Sequence, residues 1–104
     1  MSRVDSEFVN RVYGFVANIP RGRIVTYGQV AAACGASWAA WEVGQIAHSG
    51  PKDLPWHRVV NKQGRLATGY PGGMTAHRQA LESEGIKISD DFRLDVGMYL
   101  WLIA

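Results

Sequence analysis

The sequence has few residues that could form disulfides or bind a metal: its 104 residues include one cysteine, Cys34, and three scattered histidines. A single thiol cannot form a disulfide within the chain, and this set has no zinc-ligand spacing. No apolar run is long enough to cross a bilayer or to act as a signal peptide. The sequence therefore predicts a reduced protein of the cytoplasm or nucleus, with no metal, no cofactor and no membrane partner.

Charge is also sparse. Only 19% of the residues are charged, and 11 Lys+Arg against 9 Asp+Glu give a formal net charge of +2. This excess is too small to indicate a polyanion partner by itself. Disorder is excluded as the main state, because 47% hydrophobic and 11% aromatic residues are enough to form a core. We therefore expect residues 1–104 to form one domain.

The first half of the chain has helical signals. Apolar residues recur at three- and four-residue steps over residues 4–19, which predicts an amphipathic helix that ends before a proline. Thr26 is a predicted N-cap for a short helix over residues 27–34, and Ser37 is a predicted N-cap for a second helix over residues 38–48. Two short helices joined by a glycine turn suggest a helix-turn-helix, with an ordinary helical hairpin as the alternative.

The second half mixes extended and helical signals. A tight turn between two extended pieces is predicted across residues 59–66. A helix is predicted over residues 75–84, with Thr75 as its N-cap and Gly85 as its stop. The tail, residues 86–104, is rich in apolar side chains, so we expect it to pack on the domain.

The densest cluster of chemically capable side chains is Trp56, His57 and Arg58, which are consecutive in a lightly charged chain. Alone, the cluster is compatible with a core tryptophan beside a hydrogen-bonded histidine. The surrounding motifs argue for more. In order and approximate spacing the chain resembles the O6-alkylguanine-DNA alkyltransferase family at residues 19–31 (IPRGRIVTYGQVA), 43–44 (VG), 55–60 (PWHRVV), 69–73 (GYPGG) and 84–85 (EG).

This resemblance covers residues 8–85 and implies a fold. The family's DNA-binding domain is mainly α, a small single domain with a winged-helix-like helix-turn-helix. In the family, a Pro-Cys-His-Arg-Val motif supplies a thiolate that irreversibly accepts the alkyl group from a flipped-out guanine. Here Trp56 occupies the position of that cysteine. An indole is no comparable nucleophile, so alkyl transfer through this position is excluded.

The chain thus resembles the alkyltransferase-like proteins, which have tryptophan at this position. The resemblance implies a non-enzymatic monomer that binds double-stranded DNA containing O6-alkylguanine and passes the lesion to nucleotide excision repair proteins. It also implies a nucleoid-associated cytoplasmic or a nuclear location. The lesion-binding residues that it implies are Tyr27, Trp41, Trp56, Arg58, Val59, Tyr70, Pro71 and Gly72.

Specific roles follow from the same resemblance. Tyr27 matches the tyrosine that presses on the phosphate of the rotated nucleotide. Backbone groups of Trp56 and Val59 match those that read the guanine edge. His57 and Glu84 match two members of the relay that activates the cysteine, and without a cysteine we expect them to form a structural hydrogen bond.

Two departures from the family bear on this function. Trp41 stands where the family has an arginine that fills the gap left by the flipped base, and an indole could act as a wedge instead. Glu42 beside it would repel phosphate. Gly50 stands where an asparagine braces the site, and the loop before Pro55 is about two residues shorter than in the active enzymes, as judged by motif spacing.

Two other classes of function remain as alternatives. A helix-turn-helix transcriptional regulator would read base edges with its second helix, which offers Glu42, Gln45 and His48. An enzyme would need Cys34 as a substitute nucleophile or would hydrolyse the flipped base. Cys34 has no histidine or basic residue nearby in sequence to activate it, so a small buried residue is the better interpretation.

Overall fold

The computed structural model describes residues 5–102 and has a mainly α architecture with little sheet. The predicted domain, residues 1–104, extends beyond this part at both ends. In chain order the elements are α1 (Ser6–Ala17), β1 (Val25–Thr26), α2 (Tyr27–Ala33), α3 (Ala40–Ser49), a 3-10 turn (Trp56–Arg58), β2 (Val59–Val60), α4 (Gly73–Glu82) and α5 (Val96–Tyr99). None of the helices among these residues is long and apolar enough to cross a membrane.

The helix α1 begins at a side-chain cap. The Asp5 carboxylate accepts a hydrogen bond from the Phe8 N–H at 2.9 Å, which satisfies one of the free donors of the first turn. The apolar face of the helix then buries Val12 and Val16 completely. The predicted helix is confirmed from Ser6 onward, and its predicted start at residue 4 lies outside the described residues.

The helices α2 and α3 pack against each other and form the predicted pair. Thr26 caps α2 as predicted, through a capping box in which Gln29 bonds back to the cap. The start of α3 was predicted wrongly, because it begins at Ala40 and its N-cap, Ala39, makes no side-chain cap bond. Residues 36–39 form a tight turn instead, with Ala39 fully buried and its N–H donated to Ala36.

The two strands form a parallel pair in which Val25 lies opposite Val59. The predicted tight turn exists, with the Gly64 N–H donated to the Asn61 carbonyl, but the extended piece before it pairs with β1 and not with the piece after it. Both residues of β2 are buried, as is common for parallel strands covered on both faces. Arg65 instead makes an isolated antiparallel bridge with Arg93.

This small sheet lies between two hydrophobic clusters, because side chains alternate sides along a strand. Val25 and Val59 belong to the cluster formed mainly by α1, α2 and α3. Ile24 and Val60 belong to a second cluster, which includes Leu81 of α4 and apolar residues of the tail. The 3-10 turn that carries the Trp56–Arg58 cluster leads directly into β2, so both clusters hold it in place.

The helix α4 also begins differently from the prediction. Its N-cap is Gly72 in the left-handed region at φ 89°, and Thr75 lies inside the helix, so the predicted cap at Thr75 is wrong. The helix ends at Glu82, and Gly85 follows with φ 84°, which suits a glycine after a helix end.

The tail packs as predicted. The Ile24 N–H donates to Tyr99, and the Trp101 N–H donates to Ile24, each at 2.9 Å. Met98 and Leu102 are the exceptions, since they remain 61% and 82% exposed. The end of the described chain is thus attached to the centre of the molecule, beside β1.

Candidate functional site

A partly open cavity of about 170 Å³ lies beside the helix-turn-helix. Its walls come from α2, α3, the loop before the 3-10 turn, that turn, and the segment that leads into α4. Of the lesion-binding residues predicted from the sequence, Tyr27, Trp56, Tyr70 and Pro71 line it. The four others, Trp41, Arg58, Val59 and Gly72, are not part of its lining.

Trp56 forms one wall and is held in a fixed orientation. Its Nε1–H donates to the Pro51 carbonyl at 2.8 Å, and its ring meets Tyr13 edge to face with centroids 6.2 Å apart. Gly50 lines the same cavity and has no side chain to compete for the space of the indole. A hydrogen bond, an aromatic contact and a matching space therefore orient the ring before any ligand arrives.

Tyr27 contributes the wall on the side of α2. It is the first residue of that helix, so the capping box at Thr26 fixes the backbone from which the side chain projects. The ring packs against the α1–α3 cluster, and burial raises the pKa of the phenol. The hydroxyl therefore stays protonated at neutral pH and can donate a hydrogen bond toward the cavity.

Tyr70 and Pro71 contribute another part of the wall, from the segment before α4. Tyr70 stacks on His77 with ring centroids 4.6 Å apart and an interplanar angle of 14°. Burial and the negative charge of Glu84 raise the pKa of Tyr70, so this hydroxyl is also neutral. Gly72 does not line the cavity but ends this segment, and a Cβ there would lie 2.7 Å from the Ala76 Cβ.

His77 is a cavity-lining residue that the sequence analysis missed. It is completely buried, its Nδ1 accepts from the Ala67 N–H at 3.1 Å, and its Nε2 lies 2.8 Å from the His57 carbonyl oxygen. Burial lowers its pKa below the ordinary value of 6.5. One signal in the sequence could have found it: His77 shares the apolar face of α4 with Leu81, four residues later.

Glu84 gathers several donors behind the 3-10 turn. Its carboxylate lies 2.6 Å from His57 Nε2, accepts three hydrogen bonds from Arg58, and accepts the Gly22 N–H at 2.8 Å. Burial by itself raises the pKa of Glu84, but these hydrogen bonds outweigh it and lower the pKa to about 2. The carboxylate is therefore ionised at neutral pH, and His57 Nε2 carries the hydrogen that it donates.

Arg58 belongs to this cluster and not to the cavity. Its remaining contact is a 2.8 Å hydrogen bond from Nη1 to the Ile19 carbonyl, and its side chain is only 16% exposed. Arg58 therefore connects the end of the α1 region to Glu84, and little of its guanidinium is left to meet a DNA phosphate. Its position does not support the direct lesion contact predicted from the sequence.

The backbone donors near Trp56 are also engaged within the chain. The Trp56 N–H donates to Leu54 at 2.8 Å, and the Val59 N–H donates to the Trp56 carbonyl. The Val59 side chain is buried in the α1–α3 cluster. Any reading of a base edge by these two backbones therefore has to use carbonyl oxygens as acceptors.

Trp41 lies on the first turn of α3 and is 71% exposed. It is outside the cavity, on the same helix that supplies Gly44 and His48 to the cavity wall. Glu42 follows it, as the sequence analysis noted. A large apolar ring at this level of exposure is available to contact another molecule.

The surroundings of Cys34 do not favour a reactive thiol. It is buried at the end of α2, it does not line the cavity, and burial raises the pKa of its thiol. Within residues 5–102, no group of three or more His, Cys, Asp or Glu side chains could hold a metal ion.

These elements define a small helix-turn-helix domain with a mostly apolar pocket beside its second helix. Comparison with known proteins gives its family. The family model described as 6-O-methylguanine DNA methyltransferase, DNA binding domain, matches residues 7–86. The chain belongs to this family, and within it the chain is an alkyltransferase-like protein.

Three similarities support this placement. The chain is 41% identical over 103 residues to the DNA base-flipping protein of Escherichia coli (strain K12), covering 97% of this chain and 78% of that one. It is 34% identical over 102 residues to alkyltransferase-like protein 1 of Schizosaccharomyces pombe, covering 91% and 94%. The crystal structure of S. pombe Atl1 in complex with damaged DNA containing O6-carboxymethylguanine superposes with a TM-score of 0.87 at 31% identity, covering 96% and 99%. The resemblance and the fold class predicted from the motifs are thereby confirmed.

Proposed function

We propose that this protein recognises O6-alkylguanine in double-stranded DNA by accepting the flipped nucleotide in its pocket, without removing the alkyl group. The observation that carries the proposal is Trp56, whose indole forms a pocket wall at the position of the family's acceptor cysteine. Its only polar hydrogen is already donated to Pro51, so the ring offers a surface for stacking and no reactive atom.

The dimensions and chemistry of the pocket suit a base. A closed cavity of about 150 Å³ admits a benzene ring, and the cavity here has a volume of about 170 Å³ and is open on one side. Three aromatic side chains line it, Tyr27, Trp56 and Tyr70, and stacking of one base on one aromatic ring is worth about 1–3 kcal/mol.

Selectivity for a damaged guanine does not require catalysis. Flipping a nucleotide costs a few kcal/mol, and the cost falls when the base pair is already weak. Alkylation at O6 removes a hydrogen bond of the pair with cytosine, so the modified nucleotide leaves the duplex more easily. A pocket that stacks any purine therefore discriminates through the cost of flipping.

No residue in the pocket lining supports alkyl transfer. Cysteine is absent from the lining, and Cys34 is buried elsewhere with a raised thiol pKa. His57 and Glu84 keep their hydrogen bond. Because Trp56 stands at the cysteine position of the motif, they have no thiol to activate. We therefore infer that the protein is not an enzyme and that His57 and Glu84 serve its structure.

DNA is the partner that the helix-turn-helix and the exposed Trp41 fit. One relative is a DNA base-flipping protein, and another forms a crystallised complex with damaged DNA, which supports the same partner here. Two arginines that could bind phosphate are already engaged within the protein: Arg58 pairs with Glu84, and the exposed Arg21 donates to the Ser83 carbonyl. Binding should thus depend on shape and stacking more than on charge.

We infer the cellular role of the protein from the fact that the proposed function leaves the lesion in the DNA. Because the protein would hold O6-alkylguanine without consuming it, we infer that it acts as a monomer that marks the lesion for nucleotide excision repair proteins, in the nucleoid-associated cytoplasm or the nucleus. A transcriptional regulator is less well supported, because such a role gives the aromatic pocket no purpose. Hydrolysis of the base is less well supported because the pocket contains no carboxylate or metal site to activate water.

The experiment measures binding of a fluorescently labelled duplex with one O6-methylguanine against the same duplex with guanine. We expect tighter binding of the modified duplex, full recovery of the modified base by chromatography after long incubation, and no mass gain on the protein. The affinity should fall with salt at a slope that corresponds to only a handful of released counterions. Equal affinity for both duplexes, or loss of the methyl group, would contradict the proposal.

A further inference from the structure

The hydrogen bonds of His77 define which of its nitrogens carries the hydrogen. Nδ1 accepts from the Ala67 N–H, so Nδ1 must be unprotonated. Nε2 faces the His57 carbonyl oxygen at 2.8 Å, which can only accept, so Nε2 carries the hydrogen and donates it. His77 is thus neutral in one defined tautomer, with both ring nitrogens satisfied inside a fully buried site.

These two bonds connect two separate segments of the chain that line the pocket. His57 follows Trp56 in the 3-10 turn, which forms one wall. Ala67 precedes the segment that carries Tyr70, the other wall, and the Tyr70 ring stacks on the imidazole itself. A single side chain on α4 therefore touches the backbone of both walls and the ring of one of them.

We propose that His77 is a positioning residue that sets the distance between the Trp56 wall and the Tyr70 wall, so that lesion affinity depends on its neutral form. The inference rests on the proposed function and adds to it a residue and a pH dependence. A base held by stacking tolerates little error in the spacing of the surfaces around it, because a site loosened by about 0.5 Å loses its productive geometry.

Protonation would break this arrangement. A hydrogen on Nδ1 would face the Ala67 N–H, so two donors would oppose each other and the bond would be lost. Burial, the largest effect, lowers the pKa of His77, and a charge on His57 lowers it further, although the hydrogen bond to the His57 carbonyl raises it. As pH falls below about 6.5, the unfolded chain takes up a proton that the folded site resists, so folding stability declines from there downward. In the folded protein the bonds of His77 are lost only at lower pH, as its lowered pKa is passed.

Other ionisable groups near the site must be separated from His77 in any test. His57 and Tyr70 contact it directly. Those that share the pocket or act on its walls are Tyr27, His48, Lys52 and Glu84. His48 provides a matched control, because it is an exposed histidine that lines the same pocket.

The test compares His77→Gln, His77→Leu and His48→Gln in binding to the O6-methylguanine duplex between about pH 7.5 and pH 5, a range that extends well below the ordinary titration of histidine because the pKa of His77 is lowered. Glutamine keeps a donor near the position of Nε2 and does not titrate. We expect His77→Gln to keep most of the affinity at the higher pH and to lose the acid-side decline of the wild type. His48→Gln should keep that decline, and His77→Leu should lose about tenfold in affinity, the size expected for a lost buried hydrogen bond.

A second readout needs no DNA. In the ¹⁵N NMR spectrum of the free protein, His77 should show the Nε2–H tautomer, and the Ala67 amide signal should shift with the titration of His77. An Nδ1–H tautomer, or an acid-side decline that persists in His77→Gln, overturns the inference even if His77→Leu fails to fold. Absence of lesion preference in the wild type at every pH contradicts the proposed function instead, while the NMR result still decides the state of His77.

Discussion

Gly50 and Trp56 are sterically matched, so that the indole and a side chain at position 50 exclude each other. A Cβ on Gly50 would lie 2.8 Å from Cζ2 of Trp56 and 2.8 Å from the Ile46 carbonyl oxygen. Its φ of −78° suits any residue, so the requirement is for space alone. The asparagine expected here from the family resemblance is therefore incompatible with this placement of Trp56 and of the end of α3, so the glycine at position 50 and the tryptophan at position 56 fit each other.

Gly50→Ala should displace the indole from its wall. Overpacking of this kind costs about 1–3 kcal/mol, and we expect a loss of that size in the free energy of unfolding together with a changed near-ultraviolet circular dichroism signal. The matched control is Gly14→Ala on α1, where a Cβ would meet nothing within 4 Å. That variant should be more stable by about 0.5–1 kcal/mol, because alanine is the better helix former. An unchanged aromatic signal in Gly50→Ala would show that the methyl group fits without displacing the indole.

Glu84→Gln should be strongly destabilising at neutral pH. Removing one partner of a buried ion pair costs about 3–5 kcal/mol, because Arg58 keeps its charge without compensation. Since the pKa of Glu84 is lowered to about 2, the wild type should lose this stability as pH falls from about 4.5 towards 2, and the variant should lack that part of the decline. Urea unfolding at several pH values measures both.

The control for Glu84→Gln is Glu82→Gln at the end of the same helix. The Glu82 carboxylate is 48% exposed and lies 3.7 Å from Arg78. An exposed pair of this kind contributes about 0–1 kcal/mol. Equal losses for the two variants would mean that Glu84 is no more than a surface charge.

Trp56→Cys should restore a thiol without restoring alkyl transfer. The smaller side chain leaves the volume of the indole empty, and transfer needs sulfur and carbon held at attack distance. We expect no methyl group on the peptide that carries position 56 after incubation with the O6-methylguanine duplex. Leu54→Cys, another position of the pocket lining, measures background alkylation. Stoichiometric methylation at position 56 alone would show that His57 and Glu84 still form a working relay.

Trp56→Ala tests the indole as a stacking surface. It should keep some DNA binding and lose about 1–3 kcal/mol of the preference for the lesion, the value of one stacking contact. Titrations of the modified and unmodified duplexes give this difference directly. A preference equal to that of the wild type would remove Trp56 from the recognition site.

Tyr27 should contribute to lesion binding through its ring. Tyr27→Phe should bind almost as well as the wild type, whereas Tyr27→Ala should lose considerably more affinity and only modest thermal stability. Phe15→Ala is the control, because Phe15 packs on the same hydrophobic cluster and does not line the pocket. If Tyr27→Ala loses much stability but its folded fraction keeps the lesion preference, Tyr27 is a core residue and no more.

Trp41→Ala should weaken DNA binding without affecting the fold. The side chain is 71% exposed, so its removal should change the free energy of unfolding by less than about 0.5 kcal/mol. Met98→Ala truncates an apolar side chain that is 61% exposed on α5 and should leave both quantities unchanged. Equal DNA affinity for the wild type and Trp41→Ala would remove the wedge role from Trp41.

Features with local signals were predictable from the sequence. Thr26 and the residues after it carry the whole signal of a capped helix within four positions, and α2 begins where that signal places it. The start of α3 depends instead on the burial of Ala39 in a turn, which no capping pattern records. The partner of β2 lies far away in the sequence, so no local signal around residues 59–66 indicated the parallel pairing.

The residues of the candidate site also fall into those with a local sequence signal and those without one. Trp56 and Tyr70 could be assigned because short motifs carry them. Arg58 was assigned to the lesion from its motif, which does not record that Glu84, 26 residues later, accepts hydrogen bonds from its guanidinium. His77 was missed because its hydrogen bonds go to two backbone groups, which no motif records, and its place on the apolar face of α4 was the one signal that pointed to it.

The attachment of the tail beside β1 also affects how the chain folds during synthesis. Ile24 is completely buried, and its backbone donates one hydrogen bond to Tyr99 and accepts one from Trp101. Until residues 99–101 leave the ribosome, the N–H and C=O of Ile24 must remain hydrated, and the second hydrophobic cluster cannot close. Helix α1 and the helix-turn-helix can form early, because their contacts are local. The helices α1, α2 and α3 would therefore assemble first, and the pocket would acquire a rigid support only after residues 99–101 are synthesised.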